Sequence, residues 1–530
     1  MNATIPRPEF PRPDFERQEW LNLNGEWDFE FDDKNIGEKD GWYKNREISF
    51  SRKITVPFCY QSEMSGINDK SLHEIMWYRR TFNIPEGFKN KRILLNFGAV
   101  DYHARVWVNG NFVGEHKGGY VHFKFDITNY VKDMDNVIVV RVEDRYDTVQ
   151  PRGKQYWKEK PDRCWYVATS GIWQTVWLEA VGEVNIERIR LTPDIDNRCV
   201  KGEVHLDREA ENLFMEVAID YKGEDIVRLN FNINDRITRF TVCLKEEDSV
   251  DEIHYWTPET PNLYDVQITI KQDGKTIDSV RTYFGMRKIS VCGDLIMLNN
   301  KPLYQKLILD QGYWPESLLT PPSDEAIKFD IEMTKKMGFN GARKHQKIED
   351  PRYYYWADRL GLLVWGEMPS AYNFNTEETE NITREWIEFI NRDYNHPCII
   401  TWVPLNESWG VRNIYTDKNQ QNFALTLYHI SKAIDGTRLV STNDGWENVK
   451  SDFCAIHDYI AWGEEFAEKY CDKSILYELN TSGRMTFAQG YEYEGQPVII
   501  TEYGGIAFES PDRKAWGYHE AVKDVQGFIN

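Results

Sequence analysis

Positive charge is scarce in this 530-residue sequence: 64 Lys and Arg stand against 85 Asp and Glu, a formal net charge of −21. A protein that grips nucleic acid electrostatically carries the opposite excess, so no nucleic-acid partner is expected. Cysteine is sparse and scattered. The eight residues (Cys59, Cys164, Cys199, Cys243, Cys292, Cys398, Cys454 and Cys471) form no CxxC pair and no zinc spacing. Disulfide frameworks belong to short, cysteine-dense secreted chains, so free thiols are expected. Long apolar runs are missing too: nothing reaches the roughly 18 residues that would span a bilayer. The opening MNATIPRPEFPRPDFERQEW holds no apolar core of signal-peptide length, which places the chain in the cytoplasm with no membrane partner. Aromatics, in contrast, are abundant. With 19 Trp, 29 Tyr and 26 Phe the chain can fill several large cores and can stack on sugars or other neutral rings.

The hydrophobic rhythm divides the chain in three. Residues 1–181 alternate in short β runs such as RILLNFGAV, HARVWVNGNFVG and NVIVVRVED, and the Asn-Gly pair at 109–110 is a strong hairpin signal. This predicts a β-sandwich. Residues 182–286 carry a second set of strands at the size and spacing of an immunoglobulin-like sandwich. From 287 onward strand-like runs alternate with amphipathic helical ones, which predicts βα units, a parallel sheet and a TIM (β/α)8 barrel. Seven strands are read: 302–309, 340–345, 362–368, 399–406, 438–443, 454–459 and 497–503. After the seventh comes one helix-like run, RKAWGYHEAVKDVQGFIN, so the barrel of residues 287–530 is expected to be cut short before an eighth strand.

Active-site groups of such barrels sit at the C-terminal ends of the strands. There the sequence offers Asp310, Arg343, His345, Glu367, Asn406 with Glu407, Asp444, His457, Tyr459 and Glu502. A glutamate at a strand end is, taken singly, an ordinary solvated loop charge in so acidic a chain. Glu407 and Glu502 each follow a long apolar β run, however, and burial of the strand draws such a group toward a desolvated site. Two carboxylates at one barrel mouth among aromatics suit cleavage of a glycosidic bond, one protonating the leaving oxygen and the other meeting the cationic carbon.

Nearly the whole chain resembles glycoside hydrolase family 2, the family of bacterial β-galactosidases, β-glucuronidases and β-mannosidases. The resemblance is carried by RPEFPRPDFERQEWLNLNGEWDFEFD and SGIWQTVWLE, similar to the first and last strands of the family's sugar-binding jelly roll. YWTPETPNLYDV and YFGMRKI resemble the end of its central sandwich. GFNGARKHQKIEDPRYYYWADRLGLLVWGE, WVPLNES and IITEYGG match its barrel in order. The resemblance implies a retaining exo-β-glycosidase with Glu407 as general acid/base, Glu502 as nucleophile and Asn406 on the sugar 2-hydroxyl. It needs no cofactor. Tyr459 and Trp462 resemble the aromatic wall after strand six, and His457, Tyr503, Trp409, Arg343, His345 and Asp310 are expected around the sugar. A β-galactosidase is the leading expectation and a β-glucuronidase or other β-hexuronidase the alternative; a carbohydrate-binding protein without turnover is the reading of another class. A homo-oligomer is compatible with all of them.

The chain also departs from family patterns. In Arg-x-x-His-Tyr-Pro the His falls at Gln346, with His345 one residue earlier, so either residue is open for that role. The acidic and His ligands that hold magnesium in large β-galactosidases have no match in WGEMPSAYNF, so no metal is expected. Lys344 and Lys347 are read as charges on a βα-loop surface, with a grip on a uronate as the alternative.

Overall fold

The computed structural model describes residues 5–44, 48–244, 253–510 and 515–529. Two antiparallel sheets form the first sandwich. One holds Trp20–Asn22, Val176–Val181, Arg92–Phe97 and Phe123–Asp126; the other holds Arg52–Val56, Gly25–Phe31, Ile75–Phe82, Asn136–Glu143, His103–Val108 and Asn111–Lys117. Their facing side chains, among them Trp27, Phe29, Tyr78, Leu95, Val140 and Leu178, are fully buried. The strand Asn136–Glu143 does not alternate in burial because its second face is covered as well, by Trp77, Trp107 and Phe50. The predicted Asn-Gly turn is present. Asn109 and Gly110 both have positive φ (51° and 79°), the type I′ signature, between His103–Val108 and Asn111–Lys117.

The second sandwich packs a three-stranded sheet (Ile186–Asp194, Cys199–Leu206, Ile237–Cys243) on a four-stranded one (Glu224–Ile233, Leu213–Tyr221, Tyr264–Gln272, Lys275–Phe284). Seven strands and an alternating inward face, seen in Tyr264, Val266, Ile268 and Ile270, make it immunoglobulin-like.

The barrel strands read from sequence are all found, at Leu307–Asp310, Gly341–Lys344, Leu363–Glu367, Ile399–Val403 continuing in Leu405–Asn406, Leu439–Val440 continuing in Asn443–Asp444, Cys454–Asp458 and Val498–Tyr503. Their pairing is parallel throughout. The first four helices between them start at side-chain caps: Ser323, Asp350 followed by Pro351, Asn375 and Asp417 each accept a backbone N–H of the first turn. One reading is corrected. The final run is not one helix: it enters a loop, bridges Val522 to Phe508 and forms a helix only at Val525–Ile529, while Arg513 and Lys514 lie outside the described residues. All eight cysteines are free, and among the described residues no helix is long and apolar enough to cross a membrane.

Buried ions and a buried indole bind the three units together. Arg17, on the proline-rich N-terminal arm, donates to Asp278 of the second sandwich at 3.0 Å and to Glu179 of the first at 2.6 Å. Trp256 and Tyr283 of the second sandwich hold Asp358 of the barrel, through its carbonyl and its carboxylate respectively, each at 2.8 Å. From the first sandwich a long segment, residues 145–170, reaches across the barrel mouth, where Arg152 and Gly153 both donate backbone N–H groups to the Ser370 carbonyl. Gly153 cannot be replaced there. Its φ is +57°, and a Cβ would sit 2.1 Å from the Gln346 carbonyl oxygen.

Removing a buried cation leaves its carboxylates uncompensated. Arg17→Met is expected to destabilise the protein by about 3–5 kcal/mol, measured as a fall in the chemical denaturation midpoint; an unchanged midpoint would show that Arg17 does not tie the domains.

Candidate active site

Alternation along the strands decides which side chains meet at the mouth, because neighbours on a strand point to opposite sides. Arg343 and His345 share one side of strand two and Lys344 the other. Arg343, 3% exposed, is the hub of the site. Its Nε donates to Glu367 (2.6 Å), its Nη1 to Glu502 (2.8 Å) while pairing with the Asp444 carboxylate (2.9 Å), and its Nη2 to the Asn406 side-chain Oδ1 (2.5 Å). His345 stands beside it, with Nδ1 3.1 Å from Glu367 and 3.7 Å from Glu502.

His457 is the second cation. Its Nδ1 lies 2.9 Å from Glu407, and its Nε2 2.9 Å from Asp444 and 3.5 Å from Glu502. Burial disfavours the charged ring, but Glu502, Asp444 and Glu407 outweigh it and push the imidazole pKa up to about 10. The ring is therefore an imidazolium at neutral pH, with both nitrogens donating. Glu502 responds in the opposite sense. Burial alone would raise it, yet His457, Arg343 and His345 hold its carboxyl well below the usual carboxylate range, helped by the hydroxyl of Tyr459, which donates to Oε2. Glu502 is an ionised carboxylate.

Glu407 is carried differently. It and Ser408 take left-handed backbone conformations (φ 52° and 55°), which cost about 1–3 kcal/mol each in a side-chain-bearing residue. The bend is held by the Glu407 N–H on the Asp444 carbonyl, by the Ser408 N–H on Asn443 and by the Ser408 hydroxyl on Glu447. It turns Glu407 out of the strand line. One oxygen of Glu407, one of Glu502 and a ring nitrogen of His457 lie within 4.8 Å of one another. Beside them Asn406 is fully buried, and its Nδ2 has no partner among the described residues, a donor free for a ligand hydroxyl.

The remaining expected residues divide. Tyr459 joins the site, and Tyr518 stacks on it at 3.6 Å with 14° between the rings. No periodicity marked Tyr518, because it arrives on the loop that the sequence presented as helix. Trp409 lines the mouth against Trp165 and Tyr372. Tyr503 does not position Glu502: it is the next residue on the strand, so it faces away, 64% exposed, near Phe466. Trp462, 61% exposed, precedes a short helix and makes no wall beside the carboxylates. Asp310 pairs with Lys344 at 2.8 Å rather than with the glutamates. Of the two candidates for the family's His, His345 touches the charged cluster, while Gln346 turns its side chain to the Ser370 amide and the Tyr372 hydroxyl. Lys344 and Lys347 are corrected: both are buried, not surface charges. They hold Glu349 at 2.8 and 2.9 Å and depress its pKa to about 2 against the burial that would raise it, which leaves neither for a uronate.

A metal fits this cluster poorly. Glu407, His457 and Glu502 are the one group close enough among the described residues, but the Arg343 guanidinium and the His457 imidazolium already neutralise it. Glu367 of the WGEMPSAYNF segment is spent on Arg343, His345 and the Gln346 N–H.

The architecture, a jelly-roll sandwich, an immunoglobulin-like sandwich and a parallel α/β barrel with paired glutamates at its mouth, defines the class of a three-domain glycosidase-type protein. Sequence models make the family explicit: glycosyl hydrolases family 2, sugar binding domain matches residues 21–180, glycosyl hydrolases family 2 matches 184–287, and glycosyl hydrolases family 2, TIM barrel domain matches 289–526. The chain belongs to glycosyl hydrolases family 2. It is 26% identical over 447 residues to a β-galactosidase of Thermoanaerobacter pseudethanolicus, covering 81% of this chain and 56% of the relative. It is 26% identical over 509 residues to a putative β-glucuronidase of Formosa agariphila, covering 91% and 56%. The chain thus spans little more than half the length of these curated relatives. The fold matches that of the Ruminococcus gnavus β-glucuronidase in complex with D-glucuronic acid (TM-score 0.75, 20% identity, 97% of this chain and 88% of that one). It also matches the Lactobacillus rhamnosus β-glucuronidase (TM-score 0.76, 21% identity, 95% and 86%).

Two outcomes test the site. The Tyr459 hydroxyl donates to Glu502 and orients the carboxylate, so Tyr459→Phe is expected to lower kcat/KM by about tenfold or more; an unchanged kcat/KM removes Tyr459 from this role. Because cations occupy the acidic cluster, exhaustive EDTA treatment is expected to leave activity intact, and loss of activity restored by magnesium would overturn that.

Proposed function

We propose that the chain is a retaining exo-β-glycosidase that releases a terminal β-linked sugar through a covalent glycosyl-enzyme. The observation that carries this reading is the approach of Glu407 and Glu502 to within 4.8 Å. Retaining enzymes hold the two carboxyls about 5–5.5 Å apart, whereas inverting ones need about 6.5–9.5 Å to admit a water. Glu502, ionised and aimed by Arg343 and Tyr459, attacks the anomeric carbon. Glu407 protonates the departing oxygen and afterwards deprotonates the incoming water. Glu407 draws that proton from the His457 Nδ1, hydrogen-bonded to it at 2.9 Å, as it gives one to the departing oxygen, and it returns the proton taken from the water to the same nitrogen. Asn406 donates its free Nδ2 to the sugar 2-hydroxyl, and Arg343 restrains both Asn406 and Glu502 in one geometry.

The curated relatives carry the names β-galactosidase and β-glucuronidase in about equal measure, so the glycone is a galactose or a glucuronic acid. Closure of the mouth by residues 145–170 supports release of single terminal residues over internal cleavage. Rates on a panel of nitrophenyl β-glycosides decide between the two sugars. Failure to turn over any member would leave the carbohydrate-binding reading.

The two glutamates are expected to divide the labour. Glu502→Gln abolishes hydrolysis, and azide does not restore it with retention. Glu407→Ala loses about 10²–10⁴-fold on poor leaving groups but keeps activity on good ones, where azide yields a β-glycosyl azide. Equal loss on all substrates in both variants would refute the assignment.

A further inference from the structure

The segment that the first sandwich lays across the barrel carries a local excess of cations in this acidic chain. Between residues 152 and 163 it holds Arg152, Lys154, Lys158, Lys160 and Arg163 against only Glu159 and Asp162. It is aromatic as well. Trp157 and Trp165 pack on each other (5.2 Å, 75°) and on Tyr372 of the barrel (4.7 and 5.1 Å). Trp165 and Tyr372 both meet Trp409 edge-on, two residues beyond Glu407 (5.9 and 5.1 Å). All four rings are half-buried, so each keeps part of its surface open to a ligand. Arg412 covers Trp409 at 4.4 Å and forms no ion pair among the described residues. These groups stand on the Glu407 side of the mouth, where the leaving group departs.

Lys154 is the anomaly within this ring. It is 92% buried by its 8% exposure, and its backbone is pinned through the Tyr166 N–H on its carbonyl. Its ammonium meets no carboxylate among the described residues. Its hydrogen-bond partner is the Cys164 thiol at 3.7 Å, and the Trp165 ring lies at 5.4 Å. The neighbouring Lys344 and Lys347 show the usual arrangement, each with a carboxylate at 2.8–2.9 Å. An ammonium has three donors, and a thiol and a ring face leave donor capacity on Lys154 for an arriving anion.

We propose that residues 154–165 with Tyr372, Trp409 and Arg412 form the leaving-group subsite, and that Lys154 there selects a ring bearing an anionic group, a carboxylate or a sulfate ester. The ring stacks on the aromatic faces, and the anion completes the Lys154 coordination. This inference rests on the glycosidase reading above and adds the substrate class that the reading leaves open.

The test uses the full chain and the glycone preferred in the nitrophenyl panel, linked to aryl leaving groups that come in charged and neutral pairs. One pair is 3-carboxyphenyl and its methyl ester; the other is 3-sulfooxyphenyl and 3-hydroxyphenyl. At least one charged member is expected to exceed its neutral partner by about tenfold or more in kcat/KM, expressed in KM. The pair that shows it identifies the anion. Lys154→Met removes the preference, and Lys154→Arg retains it. Equal rates within both pairs, or a preference that survives in Lys154→Met, would overturn the proposal. If no glycoside is turned over, the glycosidase reading fails, and quenching of tryptophan fluorescence by the same compounds still decides this one. Tighter binding of the charged member that is lost in Lys154→Met supports it, and equal binding overturns it.

Discussion

The mouth of the barrel depends on one guanidinium. Arg343 alone reaches Glu367, Glu502, Asp444 and Asn406, groups that belong to four other strands. Without it, buried carboxylates would stand together with little to offset their repulsion, and strands three, four, five and seven would have no common anchor at the level of the chemistry. An arginine serves here where a lysine would not. Its planar fork offers donors in fixed directions, and it keeps its charge at every relevant pH. His457 adds the second positive charge, and the two together make an ionised Glu502 tolerable in a desolvated site.

Around this hub two kinds of support differ in cost. Glu502 stays within its strand, where a register shift that skips Thr501 pairs it with His457 in the parallel ladder. Glu407 does not: two successive left-handed residues lift it out of the strand, and Asp444, Asn443 and Glu447 are engaged to hold them. Strain of this kind persists only where surrounding bonds over-determine the backbone. It brings the carboxylate to within 4.8 Å of Glu502 from a different strand.

The mouth is also built by more than the barrel. Gly153 allows the segment from the first sandwich to touch the Gln346 carbonyl, and that contact sets Trp157 beside Tyr372 and Trp165 beside Trp409. The buried bonds of Arg17 and Asp358 fix the sandwiches against the barrel, so the register of this segment over the mouth is inherited from domain packing hundreds of residues away.

By itself the sequence determined the order of elements and the strand ends at which chemistry gathers. Periodicity of two and of 3.6 is a local property; Glu407 and Glu502 were legible because each follows an apolar run, and Asn406, Arg343 and His457 because they fall at strand ends. The partners of those residues were decided by the tertiary structure. Tyr503 adjoins Glu502 in sequence but faces away by strand alternation, so the hydroxyl on that carboxylate comes from Tyr459, 43 residues earlier. Lys344 and Lys347 read as surface charges because nothing in the local pattern marks their burial; folding buries both against the nearby Glu349 and brings Asp310 from the preceding strand onto Lys344. Tyr518 had no signal at all, since a loop held by long-range contacts carries no period. Burial and charge pairing are properties of groups distant along the chain, and only the packed fold assigns them.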